Sequence, residues 1–230
     1  MIQEVNQNKL AAIKIAGWQP LSLIDYPGKM AAVIFLAGCN MRCHYCHNRQ
    51  IWDVRQNRLS FTEILEKLRQ RVGWLDAVVV SGGEPTVSPN LMSILWALRT
   101  LGLLIKLDTN GMRPEVIRQV VERKLVDFVA LDVKASPVKH VAITGVSIQN
   151  VLETAEYLKA QKQVSYMFRT TVSPLLNEQD LRIMGQKIVN GAVCWQIQQC
   201  RIKNAYSNAK IQKMVESVKS YALHVVVKGI

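Results

Sequence analysis

The chain has 230 residues, 49% of them hydrophobic and 20% charged, with 29 lysines and arginines against 17 acidic residues and a net charge of +12. That size and balance suit a globular fold with a sizeable buried core and exclude a disordered or low-complexity chain. No apolar run reaches the roughly 18 residues that suggest a membrane span, and the first residues lack the basic-then-apolar order of a secretory signal, so the expected location is cytoplasmic.

In chain order, DYPGK at residues 25–29 reads as a turn, with Pro27 fixing φ and Gly28 permitting a positive φ. Residues 30–37, MAAVIFLA, form the first strand. A helix is expected over 61–72, where Ile64, Leu65, Leu68 and Val72 recur at helical spacing, with Ser60 as N-cap and Glu63 as its capping-box partner. A second strand covers 77–80. A helix follows with Ser88 as N-cap, Pro89 at its first position and Gly102 as its stop. Further strands end at Leu107, Val133, Val172 and near Gln198. The helices between and after them cover 114–124, 147–160, 178–189 and 208–220, and HVVVK closes the pattern.

This alternation predicts parallel βαβ units. The expected fold is an α/β, partial and open (β/α)6 TIM-type barrel. It forms one domain over residues 1–230, with residues 1–29 as an N-terminal extension. A doubly wound open sheet is the alternative. Trp18, Trp74, Trp96 and Trp195 read as packing residues. The basic residues are scattered, and no arginine-rich arm, helix-turn-helix signal or aromatic–basic ribbon is visible. Nucleic acid is therefore not the expected partner. The charge reads as a solvated surface, or as an electropositive docking face for a protein. Residues 201–230 carry six basic side chains and one acidic.

In parallel α/β folds chemistry gathers where strands end. After the first strand stand Cys39, Cys43 and Cys46; after the second, SGGEP from Ser81 to Pro85; after the third, DTNG from Asp108 to Gly111. Asp132 and Lys134 close the fourth strand, Arg169, Thr170 and Thr171 lie on the fifth, and Gln198 and Gln199 end the sixth. Each group alone has a bland explanation as a turn, a tight loop or an ion pair. Together they mark a rim.

Five cysteines, three of them in GCNMRCHYCHN, admit three readings. A disulfide staple is disfavoured by the odd count and the short loops. A zinc site wants four converging ligands, and His44 and His47 each neighbour a cysteine in sequence. A [4Fe–4S] cluster with one iron lacking a thiolate would leave a coordination position for a small molecule. Cys194 reads as buried in an apolar strand.

The spacing of Cys39, Cys43 and Cys46, with Tyr45 before the last, resembles the cluster motif of the radical S-adenosylmethionine (SAM) enzymes. Gly82 to Pro85 matches their glycine-rich motif. With DTNG and LDVK, the pattern looks like the branch that activates glycyl-radical enzymes. SLIDYPGK and RTTVSPL are most similar to activases of anaerobic ribonucleoside-triphosphate reductase, and pyruvate formate-lyase activases share much of the pattern. The resemblance implies an oxidoreductase in which the three cysteines bind a [4Fe–4S] cluster and SAM chelates the fourth iron. Reductive cleavage of SAM then generates a glycyl radical on a partner enzyme, with flavodoxin or ferredoxin as electron donor.

It further implies that Gly82, Gly83 and Glu84 lie at the methionine end of SAM. Asp108 and Thr109 are assigned to SAM or a monovalent cation, and Asp132 to that cation. Lys134 is assigned to the SAM carboxylate, Arg169 and Thr171 to further SAM contacts, and Tyr45 to the adenine-side wall. His47 and Asn48 are lesser candidates. The late histidine of pyruvate formate-lyase activases has no clear counterpart; Gln198 is the candidate substitute, and Cys200 stands where an aromatic is expected. A radical SAM enzyme acting on a small molecule, such as a deazapurine-type synthase, is the further alternative, and a non-catalytic zinc-binding protein the one from another class.

Overall fold

A computed structural model describes residues 7–200, 202 and 204–229. Residues 1–6, where the signal was sought, and Arg201 and Lys203 of the basic tail lie outside them. The chain divides into two compact units. The first holds the described residues up to Asn40, Asn48–Thr109 and Val116–Val129; the second holds Met41–His47, Asn110–Glu115 and the described residues from Ala130 on.

The first unit opens with α1 (Gln7–Ala12) and a two-residue strand, β1 (Lys14–Ile15). β2 (Gly17–Ser22) then runs antiparallel to β3 (Ala31–Leu36), and β1 pairs antiparallel with β4 (Leu59–Ser60). Between β2 and β3 the expected turn is present: the Lys29 N–H donates to the Tyr26 carbonyl at 3.3 Å, and Gly28 has φ +66°. α2 (Phe61–Arg69) leads to β5 (Ala77–Gly82), and α3 (Leu91–Arg99) to β6 (Leu104–Thr109). β3, β5 and β6 are parallel, with Leu36 opposite Gly82 and Val80 opposite Leu107, so their carboxyl ends are level. α4 (Pro114–Glu122) and β7 (Phe128–Asp132) each have residues in both units.

Strand side chains alternate between faces. On one face of this unit, Ala31, Val33, Ala77 and Val79 form a core with Tyr26 of the turn, flanked by Phe35, Leu104 and Phe128. The Tyr26 and Phe128 rings lie 5.6 Å apart, within the range of favourable aromatic pairs.

The second unit contains α5 (His140–Thr144), α6 (Gln149–Ala160), β8 (Ser165–Val172), α7 (Glu178–Met184), β9 (Ala192–Gln199), α8 (Asn208–Glu216) and β10 (Ala222–Lys228). β8, β9 and β10 are parallel. Trp195 is fully buried and its indole N–H donates to the Thr170 hydroxyl at 2.9 Å. Asn177 and Asp180 form a reciprocal capping box on α7, which ends in a π-helical turn, Gly185–Val189.

Several local expectations change. Ser88 does not cap a helix; it closes a 3-10 turn, Pro85–Val87, and α3 starts after Asn90. The Glu84 carboxylate accepts from the Thr86 N–H and starts that turn first. α2, α4 and α8 stop two to four residues short of the periodic pattern; beyond α4, Lys124 takes φ +55°. β2 and α5 were not foreseen. Trp74 is 78% exposed and does not pack; in β9 Trp195 is buried, while Cys194 beside it is only half-buried. Among the described residues, no helix is long and apolar enough to cross a membrane.

Candidate functional site

In the first unit the carboxyl ends of β3 and β5 lock together through backbone. Gly83 N–H donates to Leu36 O and Glu84 N–H to Gly38 O, both at 2.8 Å, while Gly38 N–H donates to Ile51 O at 2.7 Å. Gly38 and Gly82 have φ of +96° and +125°, a region that favours glycine. A Cβ at Gly82 would stand 2.2 Å from Leu36 O, and one at Gly83 2.2 Å from Gly38 O. The glycines are therefore demanded first by chain crossing. Cys39 follows directly, half-buried.

Glu84 is buried, and its Oε1 accepts from Thr86 N–H at 3.1 Å, Thr86 Oγ1 at 2.5 Å and Thr109 Oγ1 at 2.8 Å. Glu84 thus ties the ends of β5 and β6. Asp108 is buried too; Ser81 Oγ donates to its Oδ2 at 3.1 Å, and the Lys106 ammonium is paired with its Oδ1. Sequence reading missed Lys106. The available signal was a lysine inside the apolar run LLIKL, two residues before an aspartate and hence on the same strand face.

In the second unit Cys43 is buried and Cys46 half-buried, and Cys46 N–H donates to Cys43 O at 3.1 Å. Burial pushes the Cys43 thiol pKa up, against the pull of the Lys134 ammonium. Their loop is held along α5, since Arg42 N–H donates to Thr144 O and His44 N–H to Ile143 O. Tyr45 is buried, which raises its phenol pKa, and its hydroxyl approaches Lys134 O at 3.5 Å.

Asp132 lies between two cations: Arg169 Nε donates to Oδ1 at 2.5 Å and Lys134 Nζ to Oδ2 at 2.9 Å. Burial opposes the Asp132 charge, yet Arg169 and Lys134 hold its carboxyl well below the usual carboxylate range. Burial likewise opposes the Lys134 charge, and Asp132 more than restores it. Thr171 accepts from Gln198 Nε2 at 2.8 Å, which joins the ends of β8 and β9. Cys200 is fully buried, and burial raises its thiol pKa. His47 and Asn48 are exposed.

The donors suit a thiolate-bound cluster: Cys39, Cys43 and Cys46 are all unbridged, and a thiolate is the usual iron–sulfur ligand. Among the described residues no three His, Cys, Asp or Glu side chains surround a single ion position; a four-iron cluster spreads its thiolates over separate irons. Asp108 fits a further cation poorly, because both of its oxygens are engaged and one faces an ammonium.

The family model of the radical SAM superfamily matches residues 33–187. A protein of Methanocaldococcus jannaschii, named as a candidate glycyl-radical enzyme activating enzyme, is 33% identical over 94% of this chain and 96% of its own length. Pyruvate formate-lyase 1-activating enzyme of Escherichia coli is 30% identical over 73% of this chain and 70% of its own length. Among solved structures, Streptococcus suis SuiB bound to its precursor peptide SuiA matches with a TM-score of 0.69 at 17% identity; the alignment covers 86% of this chain but only 48% of SuiB. That likeness concerns the fold, and the parallel α/β architecture accords with the partial TIM-type barrel expected from the sequence. Membership brings a [4Fe–4S] cluster and SAM as cofactors. The chain belongs to the radical SAM superfamily, and within it to the enzymes that activate glycyl-radical enzymes.

Proposed function

We propose that this activase generates its glycyl radical on anaerobic ribonucleoside-triphosphate reductase, with residues 1–230 working as one domain. The observation that carries the partner is the pair of stretches SLIDYPGK and RTTVSPL, which are most similar to reductase activases. The likeness to the E. coli formate-lyase activase favours pyruvate formate-lyase as the second reading.

In this reading Cys39, Cys43 and Cys46 would hold the cluster through three of its irons, leaving the fourth for SAM. When bound, the cluster supplies a low-potential electron for breaking a carbon–sulfur bond of the sulfonium. The chain's own residues bind and orient. Arg169 and Lys134 carry two positive charges against the one of Asp132, so this corner retains a surplus that suits the SAM carboxylate. The pre-formed ion network fixes both cations before SAM arrives, which lowers the ordering cost of binding. Gly82 and Gly83 let the ends of β3 and β5 cross closely beside the methionine end of SAM, and Glu84 fixes their loop. Thr109 sets Glu84, Thr171 and Gln198 make further SAM contacts, and Tyr45 walls the adenine. A flavodoxin or ferredoxin delivers the electron.

Anaerobic reconstitution with iron and sulfide, then reduction and SAM, tests this. The expected result is a brown protein that forms 5′-deoxyadenosine and a glycyl radical signal in added reductase. A signal only in added formate-lyase supports the second reading. Turnover with neither signal points to a small-molecule substrate. A colourless protein with stoichiometric zinc, or full turnover in a Cys43→Ala variant, overturns the assignment.

A further inference from the structure

We propose that Lys106 is a built-in cation: its ammonium takes the place beside Asp108 that a monovalent metal ion would need, so that this activase works without one. The inference rests on reading Asp108 as a site residue, as above.

Lys106 is 1% exposed and Asp108 6%. The Lys106 ammonium is paired with Oδ1, and Ser81 Oγ donates to Oδ2. Each carboxylate oxygen therefore has a donor within the same unit. Val79 stands opposite Lys106 in the parallel register, and paired positions share a face. Lys106 thus rises from the same face as the apolar core of Val33, Ala77 and Val79. Packing gives no reason for an ammonium there. A charge buried at such a place is costly unless it is paired. Its explanation is the carboxylate two residues on.

Asp108 contributes −1 and Lys106 +1, so the pair is neutral. A sodium or potassium ion added there would meet an ammonium in a site shielded from water, where repulsion is strong. A tethered ammonium carries the same single charge and needs no capture from solution, which removes the concentration dependence that a free ion imposes. Lys106 is a positioning residue in this account. It holds Asp108, and through the Asp108–Ser81 contact the end of β5, in one arrangement.

The test uses the reconstituted enzyme moved between choline, sodium and potassium chloride at constant ionic strength. Thermal melting and sodium-23 line width are the readouts. The wild type is expected to melt alike in all three salts and to show no saturable sodium broadening. Lys106→Met, which keeps the length and removes the charge, is expected to melt lowest in choline and to recover saturably with sodium or potassium. Its SAM cleavage in choline should fall roughly tenfold and be restored by either ion. Lys106→Arg should remain insensitive to the salt. Should Lys106→Met fail to fold, the double variant Lys106→Met/Asp108→Asn, which removes both charges, is expected to fold and to ignore the cation. A saturable sodium or potassium response in the wild type overturns the proposal by itself, as does a folded Lys106→Met that ignores cations. Melting and line width need no SAM turnover. A protein that forms no 5′-deoxyadenosine therefore defeats the functional reading, while its wild-type salt response still judges this one.

Discussion

The carbonyl oxygen of Gly38 lies where a side chain on Gly83 would begin, 2.2 Å from an ideal Cβ at that residue, and the same oxygen accepts the Glu84 N–H at 2.8 Å. Gly83→Ala must therefore separate the β3 and β5 loops or break that hydrogen bond. Overpacking of this kind costs about 1–3 kcal/mol. Chemical denaturation should show a loss in that range, and the variant should load less cluster than wild type. Equal stability and equal iron content would show that the crossing opens freely.

Asp132 makes a pH prediction with a definite sign. Its folded pKa lies below the usual value because of Arg169 and Lys134, so the unfolded chain binds the proton more readily. The stabilisation is full above the unfolded pKa of about 4 and is lost as pH falls towards the depressed folded value. Asp132→Asn should cost about 2–3 kcal/mol at neutral pH, at or below the lower end for a broken buried pair because the side chains are 16–22% exposed. Between pH 5 and about pH 3 the wild type should lose more stability than the variant, as followed by urea melts at each pH.

His140 shifts in the same direction for a different reason. Its Nδ1 lies 2.9 Å from Val146 O, which can only accept, so the proton is assigned to Nδ1. Nε2 is buried without a partner among the described residues. Burial lowers the pKa, and the nearby Lys134 charge adds to that. The folded protein keeps the ring neutral while the unfolded chain takes up a proton below about pH 6.5. Stability should thus fall as pH drops from 7 to about 5. His140→Asn, which can still donate to Val146 O, should flatten that part of the curve; an unchanged slope would show that another group titrates there.

Thr109→Val removes the hydroxyl that donates to the Glu84 carboxylate while keeping the shape. A hydrogen bond to a buried charged group is worth about 1.5–3 kcal/mol. The variant should lose about that much in equilibrium unfolding, and SAM affinity should weaken if Glu84 sets the loop. Full stability would mean that the other donors satisfy the carboxylate.

What was legible in the sequence had a local cause. β8 falls on the expected residues because five of the eight residues of SYMFRTTV, Tyr166, Phe168, Thr170, Thr171 and Val172, carry β-favouring side chains. The turn at Pro27 and Gly28 was legible because one residue fixes φ and the other frees it. Ser88 misled because its cap signal is genuine, yet Glu84 upstream captures Thr86 first, a choice visible only when the strand end is in place. Lys106 hid because a strand's periodicity says which face a residue takes and not what waits there. The division of the three cysteines, Cys39 with the first unit and Cys43 and Cys46 with the second, is likewise a property of long-range contacts that spacing does not encode.

The buried pair of Lys106 and Asp108 has a consequence for descent. Exchanging either partner by itself takes the opposite charge away from the other in a dry place, so a lineage leaving this arrangement should alter both positions close together in time, or pass through an intermediate that borrows an ion from its surroundings. Relatives should accordingly tend to keep or lose the two charges together, and any that hold Asp108 without a lysine at the counterpart of Lys106 are where a salt requirement should first be sought.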